Sequence, residues 1–260
     1  MRAGTPIGIL IKRAYQYLFN EDIPHFSISI IRDKGIDFNA LNHIGEKHPE
    51  KEIFFVDGWV GKGAIKSELD STLAEYNQLY GRSLKSNFVV VSDLHGVADI
   101  QATYDDYLIP SAILNSIVSG LLSRSILNES VQKSDYHGAI LYKHLKSYDI
   151  SRQFIETISE HFRTAEPSDS PCRDYALITE RHEYLDRMQC AFSLDGLQHI
   201  KPGVGEATRV LLRRVPECVI INEECAETEH LHYLANERNV DIILDEHCPY
   251  KAVSIIRKVL

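Results

Sequence analysis

The segment IFFVDGWVGKGAIKSEL, residues 53–69, has the residue types of a site for a phosphorylated sugar. An apolar run ends in Asp57, and Gly61 and Gly63 flank Lys62 just before a predicted helix. Glycines let a backbone approach an anion, and the free N–H groups at a helix start point towards it. Lys62 adds positive charge, whereas Asp57 suits sugar hydroxyls or a metal bound through them. The alternative is an ordinary strand-to-helix turn with Asp57 at the sheet edge.

Further polar side chains follow two other predicted strands. The segment after the strand at 88–93 carries Asp93, His95, Asp99, Asp105 and Asp106. A base-binding or metal-binding role is one interpretation, and a solvated acidic loop with a hydrogen-bonded histidine is the favoured one. Arg32 and Asp33, after the strand at 26–31, could reach the same substrate or form a surface ion pair worth at most about 1 kcal/mol. His137, before the apolar run at 138–141, is a further candidate or a strand cap.

The cysteines allow a third kind of chemistry. They stand at positions 172, 190, 218, 225 and 248, without the spacing of a disulfide scaffold or a zinc ribbon, and we expect reduced thiols. Cys172 is near His182, and Cys225 is near His230 and His232, so a thiol–histidine nucleophile is considered. Neither pair sits in a recognisable protease motif. A zinc site is not predicted, because the spacing of Cys225, His230, His232, His247 and Cys248 follows no common ligand pattern.

Composition limits the classes of function. The chain has 260 residues, 44% hydrophobic and 25% charged, as in ordinary globular proteins. It contains no apolar run long enough to span a bilayer and no cleavage site of a secretory signal, so we expect a cytoplasmic protein without membrane partners. Its net charge of -9 argues against non-specific binding to duplex nucleic acid, although a local basic site is compatible with it.

The hydrophobic pattern alternates between helices and strands, which favours a parallel sheet flanked by helices. Helices are predicted at 7–19, 64–80, 111–127 and about 147–163, and strands at 26–31, 53–57 and 88–93. A stretch rich in proline, serine and acids follows, which is typical of a linker. The last sixty residues predict an αβαβα unit with helices at 206–215, 227–239 and 250–260 and strands at 218–222 and 241–245.

Several segments resemble a known family. RAGTPIG and VDGWVGKGAI resemble the pyrophosphate and diphosphoribosyl loops of phosphoribosyltransferases. More closely, RAGTPIGILIKR, IIRDKGID, VDGWVGKGAIKSEL, DDYLIPSAILNSIVSGLLSR and KPGVGEATRVLLRRVP resemble a bacterial family of tellurite-resistance and stress gene clusters, some of whose members are named cysteine protease StiP. The resemblance implies an α/β fold: a parallel-sheet, phosphoribosyltransferase-like (Rossmann-like) domain over residues 1–165, a connecting segment over 166–198, and a small αβα Pelota-like RNA-binding domain over 199–260.

The resemblance also implies an activity. It indicates a phosphoribosyltransferase that binds PRPP with Mg²⁺ and transfers the phosphoribosyl group to an unknown base or nucleotide-like acceptor. The implied catalytic residues are Asp57, Arg32 and His137. The implied PRPP contacts are Arg2, Ala3, Gly4, Thr5, Asp57, Gly58, Gly61, Lys62, Gly63 and Ala64. Gly58 replaces the usual second acid and the sequence begins inside the pyrophosphate motif. A non-catalytic RNA- or nucleotide-binding adaptor on a degenerate transferase fold is therefore the alternative, and a cysteine peptidase is third.

The segment at 201–214 resembles the RNA-binding loop of Pelota and kink-turn-binding proteins, with Gly205 in place of their asparagine. A helix N-terminus beside Lys201 and Arg209 could bind an RNA phosphate or a base edge. The RNA-binding candidates are Lys201, Gly203, Gly205, Glu206, Thr208 and Arg209. The alternative is a capped helix with solvated arginines. The expected partners are PRPP or another sugar phosphate, RNA, and a second copy of the chain in a homodimer.

Overall fold

The computed structural model describes residues 3–113, 115–166, 169 and 171–257, and within these it has seven α-helices and eleven strands. The helices are α1 (Thr5–Phe19), α2 (Phe38–Lys47), α3 (Ala64–Tyr80), α4 (Ser151–Glu160), α5 (Tyr175–Ala191), α6 (Val204–Arg213) and α7 (Glu229–Arg238). The strands are β1 (Ile30–Ile31), β2 (Gly35–Ile36), β3 (Phe55–Val60), β4 (Phe88–Asp93), β5 (Ile100–Thr103), β6 (Leu122–Ile126), β7 (Gly138–Leu141), β8 (Ile200–Pro202), β9 (Cys218–Ile221), β10 (Asp241–Leu244) and β11 (Ala252–Ile255).

The first large sheet is parallel, with β4 between β3 and β5. The amphipathic helix α3 connects β3 to β4 and covers the sheet through Leu69, Leu73 and Tyr76, which belong to the same apolar core as Phe88 and Val90. Each buried aliphatic or aromatic side chain of this kind contributes about 1.5–3 kcal/mol to folding. A glycine in the left-handed region precedes α3 and another follows it, so both helix ends are set by local sequence.

The same half of the chain also forms two antiparallel hairpins. In the first, β1 pairs with β2 and leads into α2, whose N-cap is Asp37: its Oδ1 accepts a hydrogen bond from the Ala40 N–H at 3.0 Å. The second consists of β6 and β7. This second hairpin is joined to the first one just before β7, where the His137 N–H donates a hydrogen bond to the Asp37 Oδ2 at 2.7 Å. One buried carboxylate therefore ties the two hairpins together.

The second large sheet has the order β10–β9–β11–β8, in which β10 and β9 are parallel and β11 runs antiparallel to both of its neighbours. Helices α6 and α7 cover one face with buried side chains such as Leu211 and Leu231. Helix α5 covers the other face with Tyr184 and Leu185. The result is a three-layer unit in which β9 and β11 are buried, whereas the edge strand β10 is largely exposed.

Helices were predicted at 111–127 and 250–260, but the described residues of these two segments form no α-helix. The first segment forms short 3₁₀ turns and β6, because Gly120 and Leu121 both have positive φ, at 69° and 60°, and end any helix. The second contains β11, whose four residues are all buried between β9 and β8. The strand predicted at 26–31 is reduced to its last two residues.

The architecture is a mixed α/β fold of several small sheets. Its three parallel strands agree with the α/β class, but a Rossmann-like sheet of the phosphoribosyltransferase type is not supported, since the remaining strands are antiparallel or belong to the second sheet. Helix α5 occupies much of the segment at 166–198, and the predicted domain bounds stay predictions. No helix among the described residues has both the length and the apolar character needed to cross a membrane.

Candidate functional site

The predicted sugar-phosphate loop begins later than expected. Strand β3 extends to Val60, so Asp57 and Gly58 lie within it, and the Asp57 Oδ1 accepts a hydrogen bond from the Gly58 N–H at 2.8 Å. The N-terminal segment is close by, because a Cβ on Gly4 would lie 2.7 Å from the Asp57 Cα. The structure thus places the backbone at Ala3–Thr5 beside β3, while Arg2 is outside the described residues.

Lys62, the expected phosphate ligand, contacts protein groups instead. Its Nζ donates hydrogen bonds to the carbonyl oxygens of Leu197 and of Ile200, the latter at 2.7 Å. Burial of the ammonium group, followed by the positive charge of Lys201, lowers the pKa of Lys62 to about 8. The neighbouring Gly63 is packed against Val97. The loop at 61–63 therefore joins the first sheet to the second instead of presenting an open anion site, with Ala64 as the first residue of α3.

The loop after β4 lies beneath the same junction. The Asp93 carboxylate is fully buried and accepts hydrogen bonds from the backbone N–H groups of His95 at 3.1 Å and Ala98 at 2.7 Å. His95 is also buried, and its Nε2 is 2.9 Å from the Tyr250 hydroxyl oxygen. Burial, then the charges of neighbouring cationic groups, lowers the pKa of His95 to about 3. This loop is not solvated at Asp93 and His95, whereas Asp99 and Asp105 are exposed.

Asp106 occupies the N-terminus of α6, the place predicted to bind RNA. Its Oδ1 accepts a hydrogen bond from the Val204 N–H at 2.8 Å, and its Oδ2 accepts one from the Lys251 N–H at 2.9 Å. Burial raises the pKa of Asp106 to about 6, although these hydrogen bonds oppose the shift. Gly203 makes the approach feasible, since its φ is 95° and a Cβ there would lie 2.7 Å from Leu94. A carboxylate of this chain thus already fills the anion position of the helix.

Trp59 and Arg181 complete the junction between the two sheets, and neither was predicted. The Trp59 ring lies over Gly205, where a Cβ would be 3.4 Å from it. The Arg181 Nη1 donates hydrogen bonds to the carbonyl oxygens of Leu94 at 3.1 Å and Tyr104 at 2.9 Å. The burial of Arg181 could have been predicted from the sequence, because Tyr184 and Leu185 follow it by three and four positions and so share its face of the helix.

The RNA-binding candidates divide into buried and accessible residues. Gly203, Gly205 and Thr208 are buried, whereas Lys201, Glu206 and Arg209 are partly exposed. Lys201 lies among other cations: burial and the charges of Arg214, Arg32 and Arg209 lower its pKa, while Glu206 opposes the shift. We define the basic rim as Arg32, Lys201, Arg209 and Arg214. It combines a residue next to β1 with three from the second sheet and α6.

The two other predicted catalytic residues lie in different surroundings. Arg32 is exposed and belongs to the basic rim. His137 stands at the start of β7, where its Nδ1 is 2.9 Å from the Ser29 Oγ and its backbone N–H is bound by Asp37. Both residues therefore come from the hairpins, but only Arg32 is near the cationic groups of β8 and α6.

The cysteines differ in access. Cys218 and Cys248 are buried, and burial raises the pKa of each thiol to about 11. Cys172 and Cys190 are exposed, and Cys225 is half-buried with its Sγ 3.6 Å from the Thr228 Oγ1. Within the described ranges, no hydrogen bond joins a cysteine to a histidine, and no three histidine, cysteine or acidic side chains gather as metal ligands.

Comparisons with known proteins identify both halves of the chain. Residues 1–159 match the model of the family described as tellurite-like stress resistance cysteine protease StiP. Residues 179–258 match the model of the Pelota RNA-binding domain. A protein of Acinetobacter baylyi named cysteine protease StiP is 38% identical over 274 residues, which cover 99% of this chain and 71% of that relative.

These matches overturn the prediction of a phosphoribosyltransferase. The family and the relative are both named as cysteine proteases, which was the third interpretation of the sequence. The structure gives a physical reason for the error at Lys62, because backbone carbonyls hold the ammonium group that was assigned to a phosphate. The Mg²⁺ expected together with PRPP stays an untested prediction.

The two family matches confirm the predicted link to tellurite-like stress resistance and to a Pelota domain. The StiP model spans more than half of the sequence, and the relative matches along nearly all of it. The chain therefore belongs to the StiP family.

Proposed function

We propose that this protein binds RNA at the basic rim, where its two sheets meet. The observation that supports this best is the grouping of four cationic side chains in a protein of net charge -9. Phosphate contacts from lysine and arginine supply most of the affinity in sequence-independent nucleic-acid binding. A cluster of positive charge on an otherwise acidic protein restricts such binding to one place.

Two arginines of the rim are available for phosphates. Arg32 and Arg214 form no side-chain hydrogen bond or ion pair within the part of the chain that the structure describes. Arg209, in contrast, donates a hydrogen bond to the Glu206 carboxylate at 2.8 Å. The N-terminus of α6 is not part of the proposed surface, since the Asp106 carboxylate occupies it. RNA is therefore expected to contact the guanidinium groups of Arg32, which is exposed, and of Arg214, which is partly exposed.

The test is fluorescence anisotropy with a labelled single-stranded RNA over a series of salt concentrations. The double variant Arg32→Gln, Arg214→Gln is compared with a matched control, Arg152→Gln, Arg163→Gln, on the exposed surface near α4. Each lost phosphate contact reduces the slope of log affinity against log salt by about 0.7. We expect weaker binding and a smaller slope for the rim variant only. Equal binding by both double variants would refute the proposal.

A second candidate function is cysteine-dependent peptide hydrolysis, which the names of the family and the relative favour. The residues that match the StiP model, 1–159, contain no cysteine in this chain. A nucleophile from this chain must then be one of the five later cysteines. Burial disfavours Cys218 and Cys248, since the thiolate is the nucleophilic form and their pKa values are raised.

Cys172 is the cysteine best placed for this chemistry. It is exposed, and the next residue, Arg173, donates a hydrogen bond to the Ala98 carbonyl oxygen at 3.3 Å, next to the buried loop after β4. His182 lies farther along α5 with its ring 5.2 Å from that of His95. Its Nδ1 is 2.7 Å from the Ile178 carbonyl oxygen and so carries the proton, which leaves Nε2 as a base.

In this scheme the Cys172 Sγ attacks the peptide carbonyl carbon, and its proton passes to the His182 Nε2. That proton then goes to the leaving amine, and water hydrolyses the thioester. A fluorogenic protein substrate tests it with single serine variants of the five cysteines. We expect loss of activity in Cys172→Ser and in His182→Gln, and retention in Cys190→Ser, the other exposed position. Activity that survives in Cys172→Ser would exclude this nucleophile, and activity without any cysteine would exclude the mechanism.

A further inference from the structure

A cavity of about 350 Å³ lies between the two hairpins and α2. Its lining comes from the segment before β1, from α2 and from β6 and β7. No cysteine and no residue of the basic rim lines it. Its volume is in the range of small-molecule sites. The cavity is thus separate in composition from both surfaces considered above.

Arg124 provides the permanent positive charge of this cavity. It is exposed on β6 and lines the opening. Among the residues that the structure describes, it has no hydrogen-bond or ion-pair partner. The cavity contains one carboxylate, Asp37, but both of its oxygens accept backbone N–H groups, from Ala40 and His137. The guanidinium is therefore not paired with this carboxylate and is free to bind an anionic group.

The inner polar groups can donate hydrogen bonds to a ligand. The Ser29 Oγ and the His137 Nδ1 are paired at 2.9 Å, which leaves the His137 Nε2 for another partner. The Ser27 Oγ pairs with the Thr5 Oγ1 at 3.0 Å. Ser125 adds a further hydroxyl to the lining. Hydroxyl and imidazole groups beside a guanidinium are the donors that a bound carboxylate accepts from.

The remaining wall is apolar and aromatic. Phe26, Ile28 and Ile44 line the cavity, and the rings of His43 and Tyr136 meet edge to face with centroids 6.0 Å apart. Most of the lining surface is carbon, so a ligand bound here would bury an apolar body. A ligand that fits both the Arg124 guanidinium and the apolar wall has an anionic end and an apolar end.

We propose that this cavity binds a small monocarboxylate whose body is aromatic or branched aliphatic. One guanidinium matches one carboxylate in charge, and its planar fork fits the two oxygens. A phosphate dianion would need a second permanent cation, which the lining does not supply. The same chemistry is offered by a free carboxylic acid and by the C-terminal residue of a peptide.

The test is isothermal titration calorimetry of the full chain with 3-phenylpropionate. The neutral 3-phenylpropionamide probes the apolar end alone, and acetate probes the carboxylate alone. We expect one saturable site for 3-phenylpropionate and binding at least about tenfold weaker for the amide and for acetate, since one charge-assisted hydrogen bond accounts for that factor. Arg124→Met is expected to weaken 3-phenylpropionate binding by a similar factor. The control Arg163→Met, also exposed, leaves it unchanged.

N-acetylphenylalanine separates the two sources of the carboxylate. Tighter binding than 3-phenylpropionate assigns the cavity to a peptide C-terminus, and weaker binding assigns it to a free acid. Histidine ring signals in NMR spectra check the location, because those of His43 and His137 should shift on binding. Equal affinity for acid and amide, unchanged affinity in a folded Arg124→Met variant, or no saturable binding would overturn the proposal.

Discussion

Two buried groups at the junction of the sheets should make stability depend on pH in opposite directions. Burial lowers the pKa of His95 from 6.5 to about 3 and raises that of Asp106 from 3.8 to about 6. A depressed histidine pKa gives stability that is complete above 6.5 and is lost as the pH falls, because the unfolded chain binds the extra proton. A raised aspartate pKa gives stability that is present at low pH and is lost as the pH rises towards 6.

The size of both effects follows from the shifts. One extra proton bound changes the unfolding free energy by about 1.4 kcal/mol per pH unit. Between about pH 6 and pH 4, the native His95 stays neutral while its unfolded form becomes charged, which costs about 2–3 kcal/mol of stability. Over the same interval Asp106 protonates mainly in the native state and adds about 2 kcal/mol. In the unmodified protein the two contributions nearly cancel.

Single variants should reveal each contribution. Relative to the unmodified protein, the unfolding free energy of His95→Gln is expected to rise by about 2–3 kcal/mol on acidification from about pH 6 to pH 4. That of Asp106→Asn is expected to fall by about 2 kcal/mol. The contributions of all other titrating groups cancel when the unfolding free energies of variant and unmodified protein are subtracted. A cost of the substitution that does not depend on pH leaves the change of this difference with pH unaffected.

The assay is urea unfolding followed by the fluorescence of Trp59, the single tryptophan, which lies at this junction. Equal urea dependence across variants shows that the same cooperative unit unfolds. His161→Gln and Asp186→Asn, at exposed positions, serve as matched controls with parallel profiles. Parallel profiles for His95→Gln and Asp106→Asn as well would refute the assignment of these shifts to burial at the junction.

Three further outcomes are expected at the same junction and core. Gly203→Ala should lower the unfolding free energy by at least about 2 kcal/mol in urea unfolding, because an alanine is strained at its φ of 95° and contacts the neighbouring loop. Lys62→Met should cost about 1–2 kcal/mol by the same measurement, through two lost hydrogen bonds, while Lys85→Met at an exposed position changes little. Titration with a coloured disulfide reagent should modify the exposed thiols first, and reaction of Cys218 or Cys248 in the native state would contradict their burial.

Sequence periodicity was sufficient where a segment is governed by its own residues. Helix α3 was predicted at its observed bounds, since Gly63 and Gly81 mark both ends of an amphipathic stretch. Strand β4 was predicted equally well, because a short run of β-branched residues between polar segments indicates a buried strand. In both cases local and tertiary preferences agree.

Periodicity failed where distant partners decide the conformation. The residues of β11 are apolar in a pattern that also fits a helix, and only pairing with β8 and β9 selects the strand. The site was misjudged for the same reason. Asp106 and Val204 are 98 positions apart, so nothing in either segment indicated that a carboxylate would occupy the start of α6.

The position of β11 in the second sheet also sets an order of events during protein synthesis. This strand separates β8 from β9, yet it is the last of the four to leave the ribosome. Until it emerges, β8 has no partner in the sheet, and the apolar side chains of α5 and α6 lack the core residues that β11 supplies, Ala252, Val253 and Ile255. The first sheet can form much earlier, since β3, β4 and β5 are complete by Thr103. The nascent chain should therefore carry a finished N-terminal unit followed by an unfinished one that is open to chaperones and proteases.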